Sequence, residues 1–292
     1  MMPYIEKANL KLYYEDVGEG EPIITNHGLC EDGTYWSKTG VTAKLAEEYR
    51  VISMDMRGHG RTMIDGEPFG YDAATMGNDF GLLADELGLE RFHILSHATG
   101  GMAAVRYAMT TADRLISLML TDTGSATAPE VPAEFGEIDP EEARKLHLAV
   151  AEAIKKSTAD DWIAAVRADP GVFLFKMDEH PEREAMWKIY EGFVRRLDPV
   201  AVGTFMERFY ADPNTMVEGL RQIKCPTLVL LGEFDLMFLK PSEVLAAQIP
   251  DVRHVVIEGI GHMTAIEDPG RTIQEITDFL RTVREAGKAD TK

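Results

Sequence analysis

Residues 91–111 read RFHILSHATGGMAAVRYAMTT. Arg91–Ser96 is a short, mostly apolar run of the kind that a sheet buries on both faces. Thr99–Thr111 carries a helical pattern that opens on Gly100 and Gly101. Between the two lies a tight turn, Ser96-His97-Ala98-Thr99-Gly100. Strand, sharp turn and helix make the repeating unit of a parallel sheet, whose neighbouring strands need a crossover connection. The unit recurs on both sides of this stretch. Upstream, Tyr4–Lys7 and Leu10–Asp16 form a strand pair, and Pro22–Asn26 (PIITN) is a buried strand. A helix over Thr39–Tyr49, a strand over Arg50–Met56 and a helix over Tyr71–Leu87 follow, the last closed by Gly88. Downstream, Leu115–Thr121 (LISLMLT) is another strand.

The rhythm then breaks. From Ser125 to about Arg221 there is no strand pattern, only helical ones over Glu141–Lys156, Ala159–Ala168, Glu182–Arg196 and Val200–Tyr210, punctuated by prolines. It returns with Thr227–Leu231, a helix over Ser242–Gln248, a strand over Arg253–Glu258 and a closing helix over Thr272–Arg284. The predicted architecture is an α/β core, 1–124 and 222–292, with a mainly parallel central sheet flanked by helices. A helical cap, 125–221, is inserted into it.

Composition narrows the function classes. The chain has 292 residues, 30 Lys+Arg against 49 Asp+Glu, a net charge of −19, and 45% hydrophobic residues. That apolar fraction suits a folded protein rather than an acidic disordered one. The charge argues against a nucleic-acid partner, since phosphates need clustered Lys and Arg, and against an anionic membrane surface. Cys30 and Cys225 are too few for a disulfide framework or a cysteine zinc site. With no signal-peptide pattern and no run near the ~20 apolar residues of a membrane span, a cytoplasmic protein is expected. It is expected to be a monomer or homodimer acting on a small molecule, with neither cofactor nor metal.

In open α/β sheets, ligands bind beyond the carboxyl ends of the strands. Five polar or glycine-rich turns fall there: Asn26-His27-Gly28-Leu29, Asp55-Met56-Arg57-Gly58-His59-Gly60-Arg61-Thr62, Ser96–Gly101, Gly232-Glu233-Phe234-Asp235, and Gly261-His262 running on to Glu267 and Pro269. In that order and at those spacings the set resembles the α/β-hydrolase superfamily, and within it the perhydrolase, enol-lactonase and small-esterase branch. The resemblance implies hydrolysis of a carboxylic ester or lactone by a nucleophile, an acid and a histidine, in that chain order.

The chain departs from the family pattern at its centre. The nucleophile elbow reads G-x-S-x-G in the family. Here Ser96 replaces the first glycine and Ala98 stands at the nucleophile position. A methyl group cannot attack a carbonyl, so the covalent route is closed in the chain as written. Ala98 can stand for a substituted serine, for a substituted aspartate, or for itself in a protein with other chemistry. The serine account is preferred, because the acid, the histidine and the oxyanion loop are all retained.

On the same resemblance, His262 is the base and Asp235 the acid that orients it, with Asp122 as the alternative acid. The backbone amides of Leu29 and Thr99 are the oxyanion donors. Gly28, Cys30, Trp36, His97, Trp162, Trp187, Tyr190 and Met263 are candidate substrate contacts. His97 can equally pack against the sheet, and His59 braces loops. Aromatic residues in the cap suggest an apolar substrate. Two alternatives stay open: a C–C bond hydrolase or cofactor-free oxygenase using His262 as base, and a ligand-binding protein without catalysis.

Overall fold

The computed structural model describes residues 3–124, 140–210 and 216–290. The expected start of the cap, 125–139, lies outside the described residues. Nine strands make one sheet: β1 Tyr4–Lys7, β2 Leu10–Val17, β3 Glu21–Asn26, β4 Tyr49–Met54, β5 Met63–Ile64, β6 Phe92–His97, β7 Leu115–Thr121, β8 Thr227–Gly232 and β9 Val252–Ile257. The order is β1-β2-β4-β3-β6-β7-β8-β9, with the two-residue β5 paired to β2. From β4 to β9 every pair is parallel; β1 and β2 are antiparallel additions at one edge.

The apolar runs sit where their composition places them. Every residue of β6 and β8 is buried, as central strands covered on both faces require. β9 lies at the far edge and is mostly exposed or half-buried; there Arg253 pairs with Glu275. A charged edge strand resists pairing with another chain. Helices cover both faces. On one, α3 (Ala73–Glu86) and α4 (Ala98–Thr111) bury Met76, Phe80, Leu83 and Met102. On the other, α1 (Tyr35–Lys38), α2 (Val41–Leu45) and α12 (Pro269–Asp290) bury Trp36, Leu45, Ile276 and Leu280.

Of the expected helix over 39–49 only α2, Val41–Leu45, forms, with α1 lying ahead of it. Gly40 has φ +82, which no continuous α-helix accommodates, and Tyr49 already belongs to β4. The turn after β6 is two residues tighter than expected, because the strand runs through His97 and α4 starts at Ala98.

Between β7 and β8 the described residues contain only helices: α5 Pro140–Lys156, α6 Ala159–Ala168, α7 Gly171–Glu179, α8 Arg183–Val194, α9 Pro199–Phe209 and a 3₁₀ turn, Val217–Gln222. Pro and polar caps separate them: Thr158 with Asp161 forms a capping box before α6, and Asp198 caps α9 ahead of Pro199. α7 is unexpected, since GVFLFKMDE lacks an amphipathic period. α9 lies close on α5 because Gly203 has no side chain; a Cβ there would meet the Ala151 carbonyl at 2.7 Å. These helices sit over the carboxyl ends of the strands through Arg196–Asp32 (2.7 Å), Phe205 against His59 and Phe173 against His262. The remaining helices are α10 (Leu239–Gln248) and α11 (Thr264–Glu267). Among the described residues no helix is long and apolar enough to cross a membrane.

Candidate active site

The site is built on the turn at residue 98. Ala98 has φ +45, in the left-handed region that side chains with a Cβ occupy at a cost of ~1–2 kcal/mol. Three contacts hold the turn there. Thr123 donates to the Ala98 carbonyl (2.6 Å), and the Gly100 amide donates to the His27 carbonyl (3.1 Å). Gly100 and Gly101 admit neighbouring chain so closely that a Cβ would lie 2.4 Å from the His27 oxygen or 2.6 Å from the Thr123 side chain. Strain held by its surroundings is a mark of functional turns.

The loop after β3 lies against this turn. A Cβ on Gly28 would come within 3.1 Å of the Ala98 Cβ and 2.9 Å of the His97 ring. Loop geometry is set by His27: its Nε2 accepts from the Met56 amide (3.0 Å), so Nδ1 carries the proton and donates to the Gly28 carbonyl (2.8 Å). The Gly28 amide donates to Glu31 Oε2 at 2.6 Å. The amides of Leu29 and Thr99 donate to none of the hydrogen bonds found among the described residues.

His262 and Asp235 meet as expected. Nδ1 of His262 lies 3.0 Å from Asp235 Oδ2, with Asp235 fully buried. Asp235 Oδ1 has no hydrogen-bond partner among the described residues. The imidazole sits between Phe238, stacked at 5.4 Å, and Phe173 at 4.8 Å. Glu267 holds its loop from below: Oε2 accepts the Gly261 amide (2.7 Å) and Oε1 the Met263 amide (3.0 Å), one on each side of His262. Burial pushes the Glu267 carboxyl above its ordinary value, against the pull of those amides.

Asp122, the alternative acid, also lies close, its carboxylate within 4.8 Å of Asp235 and His262 ligand atoms. Its hydrogen bonds go elsewhere. Oδ2 accepts from the Thr264 hydroxyl (2.6 Å), Oδ1 from the Gly232 amide (3.4 Å), and His97 Nδ1 stands 3.3 Å away. Of the two acids, Asp235 has the bond to His262.

The other candidate contacts divide. Cys30 and Trp162 line a narrow cleft partly open to solvent, together with Ile154, Val194, Leu197 and Val202; no lining side chain is charged, and Ala98, Asp235 and His262 are not among them. The cleft reaches the turns at Cys30, one residue beyond Leu29. Burial pushes the Cys30 thiol up to about 12, so it stays a neutral wall. Trp36 and Trp187 are fully buried outside the cleft lining, with their indole N–H groups donated to the Asn26 carbonyl and to Asp178. Tyr190 and Met263 are likewise buried outside its lining, Tyr190 edge-on to Trp187. Tyr210 contributes a polar contact. Its hydroxyl lies 3.3 Å from Thr99 Oγ1, and its ring packs against the cluster of Cys30, Ala151, Ile154, Val202 and Met206. Burial pushes that phenol up to about 12, so it remains a donor. His59 is buried between His27 and Phe205 and pushed down to about 3 by burial, a neutral brace.

The family model for the alpha/beta hydrolase fold matches residues 21–269, most of the chain. The protein belongs to the α/β-hydrolase fold family. Among curated relatives, "Putative carbamate hydrolase RutD" of Caulobacter sp. strain K31 is 29% identical over 283 residues, covering 92% of this chain and 95% of that one. Among solved structures, a thermophilic esterase from Thermogutta terrifontis superposes with a TM-score of 0.75 at 27% identity, over 97% of each chain. The enol-lactonase from Burkholderia xenovorans LB400 shares the fold, with a TM-score of 0.75 at 22% identity over 96% of this chain and all of its own. Homologues of these kinds make the protein an α/β-hydrolase-type hydrolase.

Proposed function

We propose that the site hydrolyses a small, uncharged, largely apolar ester or lactone, with the insertion 125–221 as a lid over a core of 1–124 and 222–292. A carbamate, the class named for one relative, offers the same kind of carbonyl electrophile. The observation that carries this reading is the His262–Asp235 bond beside a left-handed turn at residue 98, with the oxyanion loop packed on that turn. A serine at 98 gives the full sequence of steps. Its hydroxyl attacks the carbonyl while His262 Nε2 takes the proton, and Asp235 holds the opposite tautomer and stabilises the imidazolium. The amides of Leu29 and Thr99 donate to the developing oxyanion, each worth ~3–4 kcal/mol of barrier. Tyr210 stands beside them as a further donor. His262 then returns the proton to the leaving oxygen, and a water it activates releases the acyl group.

With Ala98 in place, the donors and the base remain but the nucleophile does not. The chain binds substrate, and His262 has only water to activate, so turnover is slow. The uncharged lining next to Leu29, from Cys30 to Trp162, favours an uncharged substrate, because burying a carboxylate there without a partner is costly.

The test is Ala98→Ser. The serine form should gain esterase or lactonase activity on p-nitrophenyl esters and simple lactones, and should show an adduct mass with a fluorophosphonate. If it gains nothing and takes no label while folded, the reading fails. A second reading rests on the dyad standing assembled beside Ala98: His262 deprotonates a bound substrate directly, in C–C cleavage or cofactor-free oxygenation. Appreciable turnover of such carbon acids by the Ala98 form favours it. Saturable binding with no turnover in either form favours a binding protein.

A further inference from the structure

Next to the proposed dyad lies a second set of buried ionisable groups that the hydrolytic steps leave unused. His97, one residue before the turn, is 1% exposed. Nδ1 faces Thr121 Oγ1 at 3.1 Å and Asp122 Oδ2 at 3.3 Å; Nε2 lies 3.4 Å from Glu31 Oε1. Both carboxylates are as buried as the ring, Glu31 at 2% and Asp122 at 1% exposure. Tyr35 of α1 stacks flat on the imidazole, 4.6 Å between centroids, and the His262 ring stands 5.1 Å away.

The partners of those carboxylates make the arrangement more than a local pair. Glu31 uses its other oxygen to hold the Gly28 amide, and so sets the turn that presents Leu29. Asp122 takes the Thr264 hydroxyl from the segment after His262 and the Gly232 amide from the end of β8, three residues before Asp235. A continuous line of polar contacts therefore runs from the oxyanion loop through His97 to both acid-bearing and base-bearing loops.

We infer that His97 is a positioning residue: a cationic strut that ties the oxyanion loop to the Asp235 and His262 loops and balances the buried carboxylates between them. The inference rests on the hydrolase reading for its effect on catalysis, though not for its charge. Two buried carboxylates with no cation between them would take up protons or move apart. Burial alone opposes charge on the ring, yet Glu31 and Asp122 outweigh it and push the imidazole up to about 10. The groups facing the ring are Glu31, Thr121, Asp122, Tyr35 and the His262 imidazole; the last, when protonated, is the one that opposes the charge.

Ring-nitrogen NMR on the intact, ¹⁵N-histidine-labelled protein tests the charge directly. Both His97 nitrogens are expected to stay protonated at pH 8, and in Glu31→Gln the ring should titrate at lower pH. A neutral His97 at pH 8, or a titration unmoved in Glu31→Gln, overturns the inference. Positioning is read from binding of an alkylphosphonate monoester, an anionic tetrahedral mimic, against the neutral p-nitrophenyl ester. His97→Gln should weaken the phosphonate at least tenfold and the neutral ester less than twofold. The double variant His97→Gln/Glu31→Gln, which removes one unpaired charge, should recover part of the loss. Equal weakening of both ligands, or no recovery in a folded double variant, also overturns it. If the unsubstituted protein binds neither ligand, the hydrolase reading fails instead, and the NMR result alone decides the strut.

Discussion

Glu267 offers a quantitative test of how the His262 loop is held. Its two oxygens accept the amides of Gly261 and Met263 at 2.7 and 3.0 Å, and the side chain is 4% exposed. Glu267→Gln keeps the shape but turns one acceptor into an NH₂ that faces an amide donor. One charge-assisted hydrogen bond is lost and one buried N–H is left without an acceptor, a cost of ~1–3 kcal/mol. The buried negative charge also disappears, which returns part of that, so the net expected loss is ~2 kcal/mol. At roughly 2 °C per kcal/mol for a chain somewhat longer than 250 residues, Tm falls by about 4 °C. The pH dependence carries the sign. Burial raises the folded carboxyl above its ordinary 4.5. The component of stability that this raised value adds for the protonated form is therefore fully present below the unfolded value and is lost as pH rises through the folded one, on top of the amide bonds. Urea unfolding of the protein and of Glu267→Gln, from pH 4 to 8, should show that component in the first and not in the second. A Glu267→Gln variant within 0.5 kcal/mol (roughly the noise of such comparisons) at every pH would refute the clamp.

Three further outcomes are expected. Asp79→Ala should cost ~3–5 kcal/mol in denaturant unfolding, because it strands the buried Arg57 that Asp79 meets with two hydrogen bonds, 2.7 and 2.8 Å; the double Arg57→Met/Asp79→Leu should lose far less. Gly28→Ala should destabilise by ~1–3 kcal/mol through overpacking against the His97 ring, the Ala98 methyl and Glu31, and should weaken binding of a tetrahedral anion, as calorimetry would show. Cys30 and Cys225, with thiols pushed up to about 12 and about 11, should resist a disulfide reagent at pH 8 until urea unfolds the chain; rapid labelling of the native protein would contradict the burial.

Much of the fold was legible in the chain because it rests on local periodicity. Short, mostly apolar runs marked the central strands, and the loss of strand patterns after Gly124 marked the helical stretch between β7 and β8. The misses have local physical causes as well. Gly40 sits left-handed between α1 and α2, so the helix starts at Val41 rather than Thr39, and α7 lacks the amphipathic period that marks a helix in sequence. Trp36 and Trp187 show the limit of reading aromatic residues as pocket walls. Each had a backbone or carboxylate acceptor within reach, and burial in the core satisfied the indole as well as a pocket edge would.

Sequence by itself determined the alternation of strands and helices, and the placing of Asp122, Asp235 and His262 just beyond the ends of strands. Those follow from period and chain order. Only the tertiary structure decided which acid takes the His262 bond, which of the aromatic residues face the cleft, and that His97 stands between Glu31 and Asp122. Periodicity reports whether a side chain points inward; it carries no record of which distant carboxylate waits there. Glu31 follows β3, His97 ends β6 and Asp122 follows β7, and their shared burial arises only when these three strands lie side by side.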